Sequence, residues 1–242
     1  MPVLAALLGL VAVLTFPRLA LAEETRQGEP AGETRLSSDK AALKLIGDVI
    51  ERYESEASYK LTFQQETYWS LADTTFVSNG VLLLEQPSLL SIRYDDGSRV
   101  VADGESVWVY VAQTNQFLAT NVDSSDVVMD PPRLLRQYAP DPSGTFPTPT
   151  PARPEGKMTD NWSTVALSLK PRGGVGEPAS LDVYVDQPGG LVRQIVARSR
   201  SGDLTRYTVL STELGVTTKP SDFKLSRPSG AQRLTGDGAG LR

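Results

Sequence analysis

The chain has 242 residues, a formal net charge of −5, and neither cysteine nor histidine. That composition excludes disulfides, thiolate and imidazole metal sites, and Cys–His or Ser–His–Asp nucleophilic catalysis. The acidic balance, with no clustered Lys/Arg stripe, argues against nucleic acid as a partner.

Met1 to Ala22 reads as a secretory signal. The apolar run from Val3 to Phe16 is too short for an ordinary membrane span, and Ala20-Leu21-Ala22 supplies small residues before Glu23. Residues 23–37 are rich in Glu, Gly and Pro and read as a disordered leader. Ala42, Leu45, Ile46, Val49, Ile50 and Tyr53 then fall on one helical face, with Ser38 as the N-cap. Ser37-x-x-Lys40 matches a nucleophile motif of penicillin-recognising enzymes, but its companion motifs are missing and a capped helix start explains it better.

Strands follow. Tyr59, Leu61 and Phe63 alternate with Lys60, Thr62 and Gln64. Phe76 to Leu84 is a second strand, apolar on both faces at Val81-Leu82-Leu83-Leu84 and stopped by Pro87; Leu89 to Tyr94 is a third. Asp95-Asp96-Gly97 and Asp103-Gly104 are turn signals rather than catalytic carboxylates. The stretch from Arg99 to Phe117 forms a meander around Val107-Trp108-Val109-Tyr110-Val111. Valines occupy one face of its middle strand and Trp108 and Tyr110 the other, so both faces need cover; the pattern leaves open which one Trp108 takes.

Asp130-Pro131-Pro132 starts a short helix through Leu134, Leu135 and Tyr138. Residues 140–154 form a Pro-rich loop, extended and mobile, that marks no domain boundary. Alternating strands resume at Thr164–Lys170, Ser180–Asp186, Leu191–Ser199 and Leu204–Leu214. Phe223-Lys224-Leu225 precedes Pro228 and a Gly-rich tail over residues 234–242. Asn161-Trp162-Ser163 is a sequon that chance explains. Many strands without a βαβ rhythm predict a mainly β single domain over residues 38–233.

Several of these residues occur in a characteristic order. Phe63-Gln64-Gln65 is followed by a Gly80-led strand ending at Pro87, then Asp103-Gly104-Glu105-Ser106-Val107-Trp108-Val109-Tyr110 with Gln113 and Gln116 after it. Leu169-Lys170-Pro171 comes next, then Phe223 and Pro228-Ser229-Gly230. From about Ser37 to Arg233 this order resembles the periplasmic outer-membrane lipoprotein carriers, the LolA-like family. Two positions depart from it: Gln86 stands where better-known members carry Arg, and Val111-Ala112 where they carry a Pro.

The resemblance implies a half-open antiparallel β-barrel, concave side covered by a helical lid. It implies a soluble periplasmic carrier, not an enzyme, that shields lipoprotein acyl chains from water between inner and outer membrane. Its partners would be acylated lipoproteins or other amphiphilic lipid cargo, an inner-membrane release complex and an outer-membrane receptor; it would work as a monomer, with neither metal nor cofactor. The rival is an envelope lipid or lipoprotein sensor, or a glycolipid carrier, built on the same half-barrel. Residues expected to face the lid and contact acyl chains are Leu61, Phe63, Leu83, Leu90, Ile92, Val107 and Val109, with Leu45, Val49, Leu134 and Leu135 from the lid itself. Gln86 occupies the position that the resemblance makes the lid latch.

Overall fold

A computed structural model describes residues 34–121, 131–138, 150–152, 164–169, 178–186 and 189–235. The expected signal sequence, most of the leader, the sequon and most of the Pro-rich loop lie outside them.

Helix α1 spans Thr34–Glu54. Ser38 therefore lies inside it rather than at its cap, and residues 34–37 belong to the helix, not to a leader. The last strong helix breaker before Thr34 is Gly32, so nothing in that stretch forces a later start. Strands β1 (Ser58–Trp69), β2 (Thr74–Glu85), β3 (Leu89–Tyr94), β4 (Arg99–Ala102), β5 (Ser106–Val111) and β6 (Gln116–Asn121) follow as a meander. Its β4–β5 turn works as Asp-Gly turns do: Gly104 takes φ +97°, and the Asp103 carboxylate accepts the backbone N–H groups of Glu105 and Ser106 at 3.0 and 2.9 Å.

Helix α2 is Pro131–Tyr138. Strand β7 (Thr150–Ala152) lies within the Pro-rich stretch, where extended linker was expected; its proline is tolerated because β7 is an edge strand. Strands β8 (Thr164–Leu169), β9 (Ser180–Asp186), β10 (Leu191–Arg198) and β11 (Leu204–Leu214) complete the second half. A 3-10 turn at Pro220–Phe223 leads to β12 (Gln232–Thr235), which reaches into the stretch expected to be a flexible tail.

The twelve strands form one sheet in the order β12-β6-β5-β4-β3-β2-β1-β11-β10-β9-β8-β7. All pairings are antiparallel except β12 on β6. Strands β12 and β7 end the series without pairing to each other, so the sheet stays open.

Register assigns each residue a face, because directly paired residues point to the same side. Leu61, Leu82, Ile92, Val100 and Val109 form one row across five strands; Tyr59, Leu84, Leu90, Ala102 and Val107 form the next. Both rows belong to a single buried apolar cluster that also holds Ile46, Val49 and Tyr53 of α1, Leu134 and Leu135 of α2, and Leu167, Leu181, Val183 and Val185 of the second half. The helices therefore cover this face, hereafter the lid face. Val101, Phe117, Phe223 and Ala231 are buried outside that cluster. The C-terminal segment packs against the opposite face, with Asp222 3.6 Å from Arg93 and the Gly230 carbonyl accepting from Asn115 Nδ2 at 3.0 Å. Trp108, paired with Val101, takes that face too and is half-buried. Each side of the meander is thus covered by a different part of the chain.

Candidate functional site

The lid face is apolar because strand alternation sends every second side chain to it. Leu61, Phe63, Leu90, Ile92, Val107 and Val109 all lie there, buried. From the helices, Val49, Leu134 and Leu135 are fully or nearly fully buried against it, and Leu45 packs at its edge. Leu83 does not join them. It pairs with Lys60 and Ser91 on the opposite face, half-buried, while Leu82 and Leu84 take the lid side. Four consecutive apolar residues conceal the alternation, so the sequence could not say whether Val81 and Leu83 or Leu82 and Leu84 faced inward.

Sequence reasoning also missed half of the surface. Leu181, Val183 and Val185 of β9 and Ile195 of β10 are buried in the same cluster. Their signal was present in the alternation of β9 against Asp182, Tyr184 and Asp186. Finding them required knowing that β1 pairs with β11, which places the second half of the chain beside the first.

Aromatic side chains hold the middle of the face. Tyr53 meets Tyr59 edge-on at 5.0 Å between ring centroids, and Phe63 meets Tyr94 at 5.7 Å and Tyr207 at 6.2 Å. Phe63 has room only because its cross-strand partner is Gly80: a Cβ there would sit 2.6 Å from the Phe63 ring.

Polar contacts join the lid to the sheet and its helices to each other. The backbone N–H of Val192 donates to the Tyr53 hydroxyl at 3.2 Å, a buried bond linking α1 to β10. Arg136 Nη2 of α2 lies 2.6 Å from Glu54 Oε2 of α1, an exposed pair that holds the helices to each other. At Gln86, the expected latch, the backbone N–H donates to the Ala57 carbonyl at 2.8 Å, and among the described residues its side chain bonds neither helix.

Beyond Phe63 the lid face turns polar. Gln65 Nε2 donates to Thr67 Oγ1 at 3.2 Å, and the Tyr94 hydroxyl donates to Gln65 Oε1 at 3.0 Å. Tyr207 is the cross-strand partner of Gln65. Burial pushes the Tyr94 hydroxyl well above the usual phenol range, with the neighbouring Tyr207 and Asp96 adding to it, and burial alone raises Tyr207. Both stay neutral donors at any physiological pH. Among the described residues there is no group of three acidic side chains placed to hold a metal ion, and no helix long and apolar enough to cross a membrane.

Likeness to known proteins follows the same lines. An uncharacterized conserved protein from Thermus thermophilus shares the fold at 14% identity and a TM-score of 0.51, with 81% of this chain and 99% of that one covered. A LolA superfamily protein from Nitrosomonas europaea aligns at 11% identity over 76% of this chain and 97% of its own, with a TM-score of 0.37. The lipoprotein LppX of Mycobacterium tuberculosis aligns at 11% identity over 71% and 94%, with a TM-score of 0.38. No curated protein matches the chain in sequence. The family model for the outer membrane lipoprotein carrier protein LolA matches residues 54–226, well over half of the chain, and the protein belongs to that family.

Proposed function

We propose that this protein is a periplasmic carrier that takes acyl chains of lipoproteins between its lid and its sheet and ferries them from the inner to the outer membrane. Its family is one of lipid and lipoprotein binders and carriers rather than enzymes. The observation that carries the reading is the lid itself. A continuous apolar sheet face is covered by two helices, with a buried hydrogen bond from Val192 to Tyr53 between lid and sheet and an exposed ion pair between the helices.

Magnitudes favour exchange over a permanent core. Ile46, Val49, Tyr53, Leu134 and Leu135 bury about 2 kcal/mol each, roughly 10 kcal/mol if the lid lifts fully. A dozen acyl methylenes at about 0.8 kcal/mol each recover a similar amount. The Tyr53 tether adds little to the barrier, since a neutral hydrogen bond contributes about 0.5–1.5 kcal/mol. Ligand-bound and lid-closed forms then lie close in free energy, which is what loading and release both need. Leu61, Phe63, Leu90, Ile92, Val107 and Val109 are the proposed sheet contacts, to which Leu82 and Leu84 are added.

Native mass spectrometry of protein recovered from a periplasmic extract tests this. The reading expects acylated lipoprotein or free lipid to travel with the chain; recovery from the cytoplasm, or an empty chain that takes up no lipid from vesicles, contradicts it.

A further inference from the structure

The lid face is graded along β1. Tyr59, Leu61 and Phe63 present apolar groups, Gln65 and Thr67 polar ones. From Tyr59 to Phe63 a strand advances about 13 Å. That is close to the ~15 Å that acyl chains occupy in one bilayer leaflet, half of a hydrocarbon core about 30 Å thick. A chain lying on the apolar strip would bring the carbonyl at its head to Gln65.

The polar groups there have capacity to spare. Gln65 offers two N–H donors and two acceptor lone pairs, and its bonds to Thr67 and Tyr94 use one of each. Tyr207, the cross-strand partner of Gln65, is buried at 2% exposure and carries a hydroxyl on the same face. Few, fixed polar groups at the end of an apolar surface are how ligand sites set orientation.

We infer that Gln65, Tyr94 and Tyr207 form a polar anchor for the acyl ester or amide carbonyl of the cargo, setting how far its chains slide under the lid. This rests on the lid face being the acyl-binding surface. The unused Gln65 N–H and the Tyr207 hydroxyl donate to the carbonyl, while the Gln65–Tyr94 bond holds the amide in place. Thr67 fixes the other side of that amide.

Two probes separate anchor from surface: a palmitoyl monoglyceride, which carries an ester, and a pyrenyl alkane, which carries no hydrogen-bonding group. Tyr207→Phe and Gln65→Leu are expected to weaken monoglyceride binding about tenfold and to leave alkane binding within about twofold. Tyr207→Phe removes only a hydroxyl and keeps the ring, so it keeps the test open if Gln65→Leu fails to fold. Unchanged monoglyceride affinity, or an equal loss for both probes, overturns the anchor while alkane binding by the wild type upholds the lid face. A wild type that binds neither probe overturns both.

Discussion

The Tyr53 hydroxyl accepts the backbone N–H of Val192 at 3.2 Å in a buried bond between lid and sheet. The donor is free for this because β10 is irregular there: the β9–β10 register shifts between Val192 and Gln194. Tyr53 also meets Tyr59 edge-on, so its ring packs at one end while its hydroxyl tethers at the other. Tyr53→Phe keeps the ring and removes the tether. Its expected effects are a loss of about 0.5–1.5 kcal/mol in denaturant stability and tighter apparent binding of an apolar dye, because a more easily lifted lid opposes the ligand less. Dye titration beside urea unfolding checks both signs.

Gly80 and Phe63 form a packing pair in which neither can grow. Gly80→Ala places a Cβ within 2.6 Å of the Phe63 ring and 3.1 Å of the Arg93 carbonyl. Overpacking of this kind is expected to cost about 1–3 kcal/mol. Phe63→Leu in the same chain should recover part of the loss, a non-additive coupling that a double-mutant cycle measures.

Leu82 and Leu83 are adjacent in sequence and opposite in effect. Leu82 is fully buried on the lid face, so Leu82→Ala is expected to lower stability by about 2–5 kcal/mol. Leu83→Glu puts a carboxylate on the half-buried opposite face, beside its cross-strand partner Lys60. It should leave the protein folded and dye binding unchanged. Thermal melts and dye titration of the two variants distinguish the faces.

The contrast also shows where the sequence could be read. Strands with one charged face were legible to the residue: Ser180–Asp186 alternates valines and leucine with Asp182 and Asp186, and β9 has those same bounds. Where both faces are apolar, as at Val81–Leu84, period two carries no sign, and Leu83, expected on the lid face, lies on the other. The edge strands were invisible because Thr150-Pro151-Ala152 and Gln232-Arg233-Leu234-Thr235 are too short to show alternation. The tether at Val192 depends on a register shift that only the paired sheet defines. Likewise, the polar end of the lid face comes from Gln65 and Tyr207 meeting across β1 and β11, far apart in the chain.

Asp203 joins two hairpin turns. Its carboxylate accepts the Ser70 N–H at 2.9 Å, the Ser70 hydroxyl at 2.8 Å and the Ser201 hydroxyl at 2.7 Å. Burial disfavours its charge, but the hydrogen bonds from Ser201 and Ser70, with Ser199 adding to them, outweigh that and hold the group below its ordinary value of 3.8. A carboxylate depressed in the folded state stabilises the fold above its unfolded pKa, and this contribution is lost as pH falls from there through the folded value. The wild type should therefore lose stability below about pH 4 more steeply than Asp203→Asn. Melting temperatures across pH 3 to 6 read the difference; parallel pH profiles would show that Asp203 contributes no pH-linked stability.

On the proposed function, acyl ligand enters by lifting the helices from the sheet. A chain without cysteine lets two labels be placed without background. Glu51→Cys lies on the exposed side of α1, and Asn79→Cys on the exposed side of β2, facing away from the lid. The spin-label distance between them, measured by pulsed electron resonance with and without a saturating palmitoyl ligand, reports lid height directly. The account predicts a longer and broader distribution with ligand bound. An unchanged distance at full occupancy would contradict it, and would mean that the lid face is a permanent core and the ligand binds elsewhere.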